Sequence, residues 1–369
     1  MSGQPAEAEQ TVRRLFSVKE MFVLPDGELE FQVAFDAGTK EKFAELKSSL
    51  AGVGLRPELT GSSDDCVLTL RKVEPAAKNL PRLPAIFAFF TAAALIVMAL
   101  FQQEVYQVLM PSWPDYFGFF AFALTVAALL GAHRLGQTLM ARTRDAGHAS
   151  SFLIPYIPLL PPYIPSLGFV SSQRAPALNK DALFDTVVAG PLAMLFLAIL
   201  LFAVGEVTAV QSAVPFASTN LVNTTVTINP SLIQVAVGSL LGPFTHAVAP
   251  GYTSVSPLQD GSFVGFTLAF MCFLPMASYD GGIMAHLALG QRGAKVASYL
   301  SIIALLAFDT WTYLAVAVVV LLLVGRPFQL KLQDEVSPLS SSRRWLLVGT
   351  VVLAFLCIPL PHSIATLPL

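Results

Sequence analysis

The chain has 369 residues, of which 54% are hydrophobic and only 12% charged, with a formal net charge of −2. A soluble globular chain carries about 25% charged residues, so the composition excludes an ordinary soluble enzyme and indicates a membrane protein. The near-neutral balance gives no ground for a nucleic-acid partner, and the lipid bilayer is the partner expected.

Residues 1–80 read as a small cytoplasmic α+β domain, and residues 81–369 as the membrane domain. Glu7 and Glu9 stand among the first residues and no apolar run follows them, which argues against a secretory or transit signal. Thirteen of the 24 acidic residues fall in this first region. Leu29, Phe31, Val33 and Phe35 alternate with polar or small residues, the period of a half-buried strand. Phe43, Leu46 and Leu50 then recur at helical spacing, with Thr39 as N-cap and Gly52 as terminator. Cys66, Leu68 and Leu70 form a second alternating run. A β-α-β-type module is expected, with two roles open: regulation or partner binding, or simple packing on the membrane part.

Seven apolar runs follow, at about 83–101, 116–133, 183–205, 262–279, 294–308, 311–325 and 345–360. Their lengths approach what a helix needs to cross a bilayer. Asp309-Thr310 alone separates the fifth and sixth, so one bent helix is the alternative there. With residue 1 in the cytoplasm, seven spans place all 22 Lys and Arg residues on the cytoplasmic side, the bias that sets membrane topology. Trp113, Trp311 and Trp345 fall at span ends. The expectation is a mostly α, polytopic, multi-pass membrane protein with about seven transmembrane helices, its N-terminus cytoplasmic and its C-terminus on the opposite side. Cys66, Cys272 and Cys357 are scattered and imply no disulfide framework; the two in predicted spans suit a small apolar role.

The membrane region carries four motifs. His133-Arg134-Leu135-Gly136-Gln137 ends the second span where a membrane zinc protease would have His-Glu-x-x-His. In that motif the histidines at i and i+4 share a helix face and bind zinc, and the glutamate is the general base. Five residues can match by chance, so their context matters. Ser151 to Val170 carries Pro155, Pro158, Pro161, Pro162 and Pro165 and cannot be a straight helix. It reads as a Pro-rich membrane-associated hairpin or membrane-edge sheet, with Phe169-Val170 as an edge strand able to pair with an extended peptide. Leu183-Phe184-Asp185 precedes Ala189-Gly190-Pro191-Leu192-Ala193, whose small residues permit close helix approach, while Asp185 at the membrane boundary wants a partner. Phe273 to Gly282 closes the fourth span. There Pro275 frees backbone groups, Gly281 and Gly282 permit sharp bending, and Asp280 suits a metal ligand or an ion-pair partner. The charge bias puts Asp280 and His133 on one membrane face.

In order and spacing these motifs resemble the site-2 protease (M50) family of intramembrane zinc proteases. The nearest branch in resemblance is that of the plant chloroplast ethylene-dependent gravitropism-deficient and yellow-green proteins and their microbial relatives. The resemblance covers residues 115–361: the Ile154-Pro155-Tyr156-Ile157-Pro158 hairpin, Leu183 to Ala193, Phe273 to Gly282, and Gly325-Arg326-Pro327 with Asp334 and Pro338. It implies ligand positions at His133, Gln137 and Asp280, the base position at Arg134, and a substrate groove at Pro155, Pro158, Phe169 and Val170. Asp185, Gly190, Pro191, Pro275, Gly281 and Gly282 complete its structural motifs.

Two substitutions argue against hydrolysis. The amide of Gln137 is a poor substitute for imidazole, and Arg134, with a pKa above about 12, accepts no proton. His148 and His286 stand at no ligand position, and His246 lies in an outer loop. No cofactor is therefore expected, although active family members hold zinc, and Arg134 is expected to neutralise Asp280 within about 4 Å or through one water. Three functions remain: an inactive homologue that binds or regulates a membrane-protein client, an active protease with unusual ligands, and a transport role. Whether the chain is an enzyme stays open at this point. Asn223-Thr224-Thr225 is a weak glycosylation sequon, and residues 231–248 are expected to dip onto the outer membrane surface.

Overall fold

The structure, a computed structural model, describes residues 4–25, 28–72, 82–146, 149–156, 164–173, 175–215, 230–306, 316, 318–322 and 330–358. The N-terminal module comprises α1 (Gln4–Leu15), β1 (Val18–Val23), β2 (Leu29–Val33), α2 (Thr39–Leu50), β3 (Leu55–Gly61) and β4 (Cys66–Lys72). Its four strands form an antiparallel sheet in the order β1-β2-β4-β3. The alternating residues foreseen for β2 and β4 pair directly, Phe31 with Leu68 and Val33 with Cys66. The core is Val12, Phe16, Phe31, Phe43, Leu46, Leu50, Leu59 and Leu68, all nearly inaccessible. Two strands and α1 exceed the simple β-α-β reading. Thr39 is the first helical residue rather than the cap, its hydroxyl accepting from the Asp36 amide at 2.8 Å.

The membrane part continues with α3 (Arg82–Leu109), α4 (Phe117–Thr143), the hairpin β5 (Ala149–Pro155) and β6 (Ser166–Gln173), and α5 (Lys180–Thr208). Then come the two-residue β7 (Val210–Gln211), α6 (Leu232–Leu241), β8 (Ser254–Val255), α7 (Pro257–Phe273), α8 (Asp280–Leu306) and α9 (Ser341–Cys357). Among the described residues three helices are long and apolar enough to cross a membrane: Pro84–Leu109, Phe117–Thr143 and Lys180–Thr208. The other helices that fall on expected spans are shorter or bent. α7 and α9 have 17 residues each, and α8 breaks at Gly290, where φ is 73°. The boundary between the runs at 294–308 and 311–325, the sequon at Asn223, and His148 lie outside the described residues. In the loop after Asn223, α6 starts with a capping box between Ser231 and Gln234, and Pro243 falls in the short 3₁₀ turn Gly242–Phe244 that follows it.

The foreseen hairpin is a two-stranded sheet. Ser151 pairs with Ser171 and Phe152 with Val170, and the register slips between Leu153 and Pro155, as expected where proline withholds an N–H. α4 and α5 pack closely because glycines lie on both contact faces. A Cβ on Gly136 would sit 2.6 Å from the Ala189 carbonyl oxygen, and one on Gly190 would sit 2.7 Å from the Gln137 side chain.

Residues 330–338 tie the two parts together. Asp334 forms a parallel bridge with Leu59 of β3, and Leu332 one with Ala177. The Leu59 amide donates to Gln333 O at 2.6 Å, and Glu335 N donates back to Leu59 O at 3.0 Å. The end of α5 nearest the module is held by ions. Arg343 grips Asp185 through two bonds of 2.7 and 2.6 Å and reaches Asp181 at 2.8 Å. Lys40 of α2 joins Asp181 at 2.5 Å, and Arg144 reaches Asp185 at 3.1 Å. Asp185 thus has the partner its boundary position demands.

Candidate functional site

The site is assembled from one face of α4, the hairpin, and the loop between α7 and α8. His133 and Gln137 are four residues apart, so they lie on the same face of α4, and both are buried. Arg134, one position on, is turned away and exposed. Asp280 opens α8 with 0% exposure. It is presented there by a tight turn. The amide of Met276 donates to Leu274 O at 2.7 Å and that of Tyr279 to Met276 O at 3.1 Å, with Ser278 at a positive φ of 66°. The glycine pair is required by this turn: a Cβ on Gly281 would lie 2.1 Å from the Leu274 carbonyl oxygen, and one on Gly282 1.8 Å from that of Met276. Pro275 bends the chain here, and its carbonyl accepts from Ser298 Oγ at 3.1 Å.

Asp280 is fully engaged. Its Oδ2 lies 2.8 Å from His133 Nε2, while its Oδ1 accepts from Gln137 Nε2 at 3.1 Å and from Ser171 Oγ at 2.5 Å. Ser151 Oγ donates to Gln137 Oε1 at 2.6 Å, and Arg134 Nη1 donates to Ser151 Oγ at 3.1 Å. Donors therefore run in one direction, from Arg134 through Ser151 and Gln137 to Asp280. The expected direct or one-water pairing of Arg134 with Asp280 is replaced by this relay of two neutral side chains. The reason is geometric: Arg134 projects from the exposed face of α4, and Ser151 of β5 meets it first.

The His133 ring stacks on Phe169, with centroids 3.6 Å apart and planes 9° from parallel. Its Nδ1 is buried with no hydrogen-bond partner among the described residues. Gly190 closes the ring's other surroundings, since a Cβ there would lie 2.9 Å from His133 Nε2. Pro191, next to it, sits inside α5 and donates no backbone bond. The residues expected to line a groove are placed as follows. Phe169 is fully buried against His133, and the edge beside it is already taken. Val170 bridges to Tyr279, and the Ser171 amide donates to Ser278 O at 3.0 Å. Tyr279 Oη also donates to Leu167 O at 3.0 Å. A strand edge satisfied by its own chain offers no free N–H to a peptide. Pro155 is half-buried at the hairpin's slipped register, and Pro158 lies outside the described residues.

Four contributors escaped the sequence reading: Ser151, Ser171, Tyr279 and Cys272. Ser171 follows Phe169 at the strand period, so both face the site, and Ser151 lies directly across from Ser171; that alternation is a readable signal. Cys272 is the largest omission. Its side chain, with those of His133 and Asp280, forms a buried group whose possible ligand atoms all lie within 4.8 Å of one another.

A helical membrane fold with a histidine-bearing helix facing an Asp-Gly-Gly turn defines the class of the membrane metallopeptidases. The model of peptidase family M50 matches residues 120–308, just over half of the chain, and the chain belongs to that family. No curated protein and no solved structure matches it. Members of the family are typically zinc metalloproteases. The donors present fit such an ion: imidazole, carboxylate and thiol are all zinc ligands, and their donor atoms lie within 4.8 Å of one another.

Proposed function

We propose that this family member does not hydrolyse peptide bonds and instead binds or regulates other proteins within the membrane. One observation supports the reading above all: the residue after His133, where a general base is required, is a guanidinium that donates a hydrogen bond to Ser151. Arginine holds its proton at any physiological pH. Asp280 is taken up by His133, Gln137 and Ser171, and Gln137 is a neutral amide that accepts no proton. General-base loss alone costs on the order of 10²–10⁴ in rate. When bound, zinc would polarise a carbonyl or a water, but the proton of that water has no acceptor at Arg134.

On this reading the chain keeps the family's scaffold and its degenerate ligand positions His133, Gln137 and Asp280, with clients that are membrane proteins. The resemblance to the chloroplast ethylene-dependent gravitropism-deficient and yellow-green branch supports this assignment. A multi-pass arrangement of about seven spans, with residues 1–80 cytoplasmic, is supported by the one-sided distribution of all 22 basic residues. The test is cleavage of transmembrane reporter peptides by purified protein in bilayers. No cleavage above a protein-free control is expected; turnover abolished by a chelator overturns the reading. A second reading, an active protease with unusual ligands, is favoured by the position of Cys272, and the same assay decides between them.

A further inference from the structure

We infer that Cys272 replaces the missing histidine as the third metal ligand, so that the lost His-Glu-x-x-His motif still leaves a zinc site, held by His133, Asp280 and Cys272. The inference rests on the reading above that the base is lost, and adds that the metal is not. Cys272 lies in the last turn of α7, eight residues before Asp280, and the bend at Pro275 folds the two back toward each other. All three side chains are 0% exposed, and their donor atoms lie within 4.8 Å of one another.

Three features favour a ligand here over a passive core. His133 Nε2, the ring nitrogen that would bind, already faces Asp280 Oδ2 at 2.8 Å. The His133 ring is fixed by stacking on Phe169 and by the closeness of Gly190, an orientation of the kind that surrounding groups impose on metal ligands. Asp280 is likewise oriented by Gln137 and Ser171. Ser171 and Gln137 then act as positioning residues, and Gln137 need not touch the metal. Two anionic ligands, a thiolate and a carboxylate, neutralise the dication without Arg134. A sulfur ligand also shifts preference toward zinc and other thiophilic ions and away from magnesium or calcium. Three protein ligands would leave the fourth position for water, whose proton would find no acceptor at Arg134. The site would hold α4, α7 and α8 together at the point where the family performs chemistry.

The experiment uses full-length protein in detergent, loaded with Zn²⁺ or Co²⁺ and freed of loose metal. Three measurements are made on one preparation: metal content, the Co²⁺ absorption spectrum, and cleavage of the reporter peptides. One metal per chain is expected, with a thiolate-to-Co²⁺ charge-transfer band in the near ultraviolet. The band should vanish in Cys272→Ser and persist in Gln137→Ala. A wild type that binds no metal, or that binds Co²⁺ without the sulfur band, overturns the inference while leaving the reading of lost hydrolysis intact. Retention of full metal content and the band in Cys272→Ser overturns it as well. Metal with the sulfur band and clear cleavage supports the ligand and overturns the non-hydrolytic reading. Because the decisive spectrum is taken on wild-type protein, it does not depend on a variant folding.

Discussion

Two polar clusters lie along α5, and they are built from different materials. Near the start of the helix, Asp181 and Asp185 meet Lys40, Arg144 and Arg343, five formal charges at the rim of the membrane part. Gly190 abuts the other cluster, five residues or roughly 7–8 Å further along the helix. There a single carboxylate faces one histidine and the neutral groups of Gln137 and Ser171. Side chains in the first cluster keep between 12% and 53% exposure, whereas His133 and Asp280 have none. The difference follows from the cost of desolvating charge, which falls steeply where water remains in reach. A guanidinium can therefore serve Asp185, while Asp280 is served by short neutral donors and a ring. The indirect link of Arg134 to Asp280 fits the same rule: the arginine stays on the exposed face of α4 and acts through one hydroxyl and one amide group.

The contrast can be broken by substitution. Asp280→Ala removes the acceptor for three buried donors, and a loss of about 3–5 kcal/mol is expected, the usual penalty for breaking a buried pair from one side. It would register as a large fall in the thermal midpoint in detergent. A change below about 1 kcal/mol would mean the buried network is not structural. Gly282→Ala leaves every polar partner in place but drives a Cβ to 1.8 Å from the Met276 carbonyl oxygen. A destabilisation of about 3 kcal/mol is expected from forced backbone movement, together with displacement of Asp280. Arg343→Ala removes bidentate contact with Asp185 and the bond to Asp181, an expected loss of about 1.5–3 kcal/mol. Salt separates the two clusters: the Arg343 effect should shrink in concentrated salt and the Asp280 effect should not. Equal salt sensitivity would erase the distinction drawn between them.

The smallest effect concerns the N-terminal module. Burial pushes the Cys66 thiol up to about 11, so it stays protonated at neutral pH and should resist alkylation in folded protein, read by mass spectrometry site by site. Because the folded value exceeds the ordinary 9.0, this group costs nothing below pH 9. It erodes stability only as pH climbs from there towards 11, since the unfolded chain then releases the proton first. Fast labelling at neutral pH would show the module's core to be open.

What the sequence disclosed depended on whether the signal was local. β2, β4 and α2 were legible because Leu29 to Phe35, Cys66 to Leu70 and Phe43 to Leu50 each repeat at one element's own period. β3 was not, since Pro57 interrupts its pattern and its outer edge is completed by Asp334, far along the chain. At the site, His133, Gln137 and Asp280 were legible through motif spacing and are brought together. Cys272 was not, because a cysteine in an apolar run has no local mark, and only the return of the chain at Pro275 sets it beside a histidine on another helix. The neighbours of the expected peptide-binding edge were hidden for a related reason. The alternation of Phe169 and Ser171 revealed a strand but not what borders it, and Ser278 and Tyr279 come from a turn more than a hundred residues later.

The bridge between Leu59 and Asp334 sets an order of events during synthesis. The edge of β3 emerges with the first part of the chain, whereas the segment that covers it emerges only after most of the helices. Until then the module carries an uncovered strand edge, the feature most prone to wrong pairing. Any chain cut short before residue 332 retains that open edge permanently, so truncated products should aggregate through their soluble end and not through their membrane helices alone.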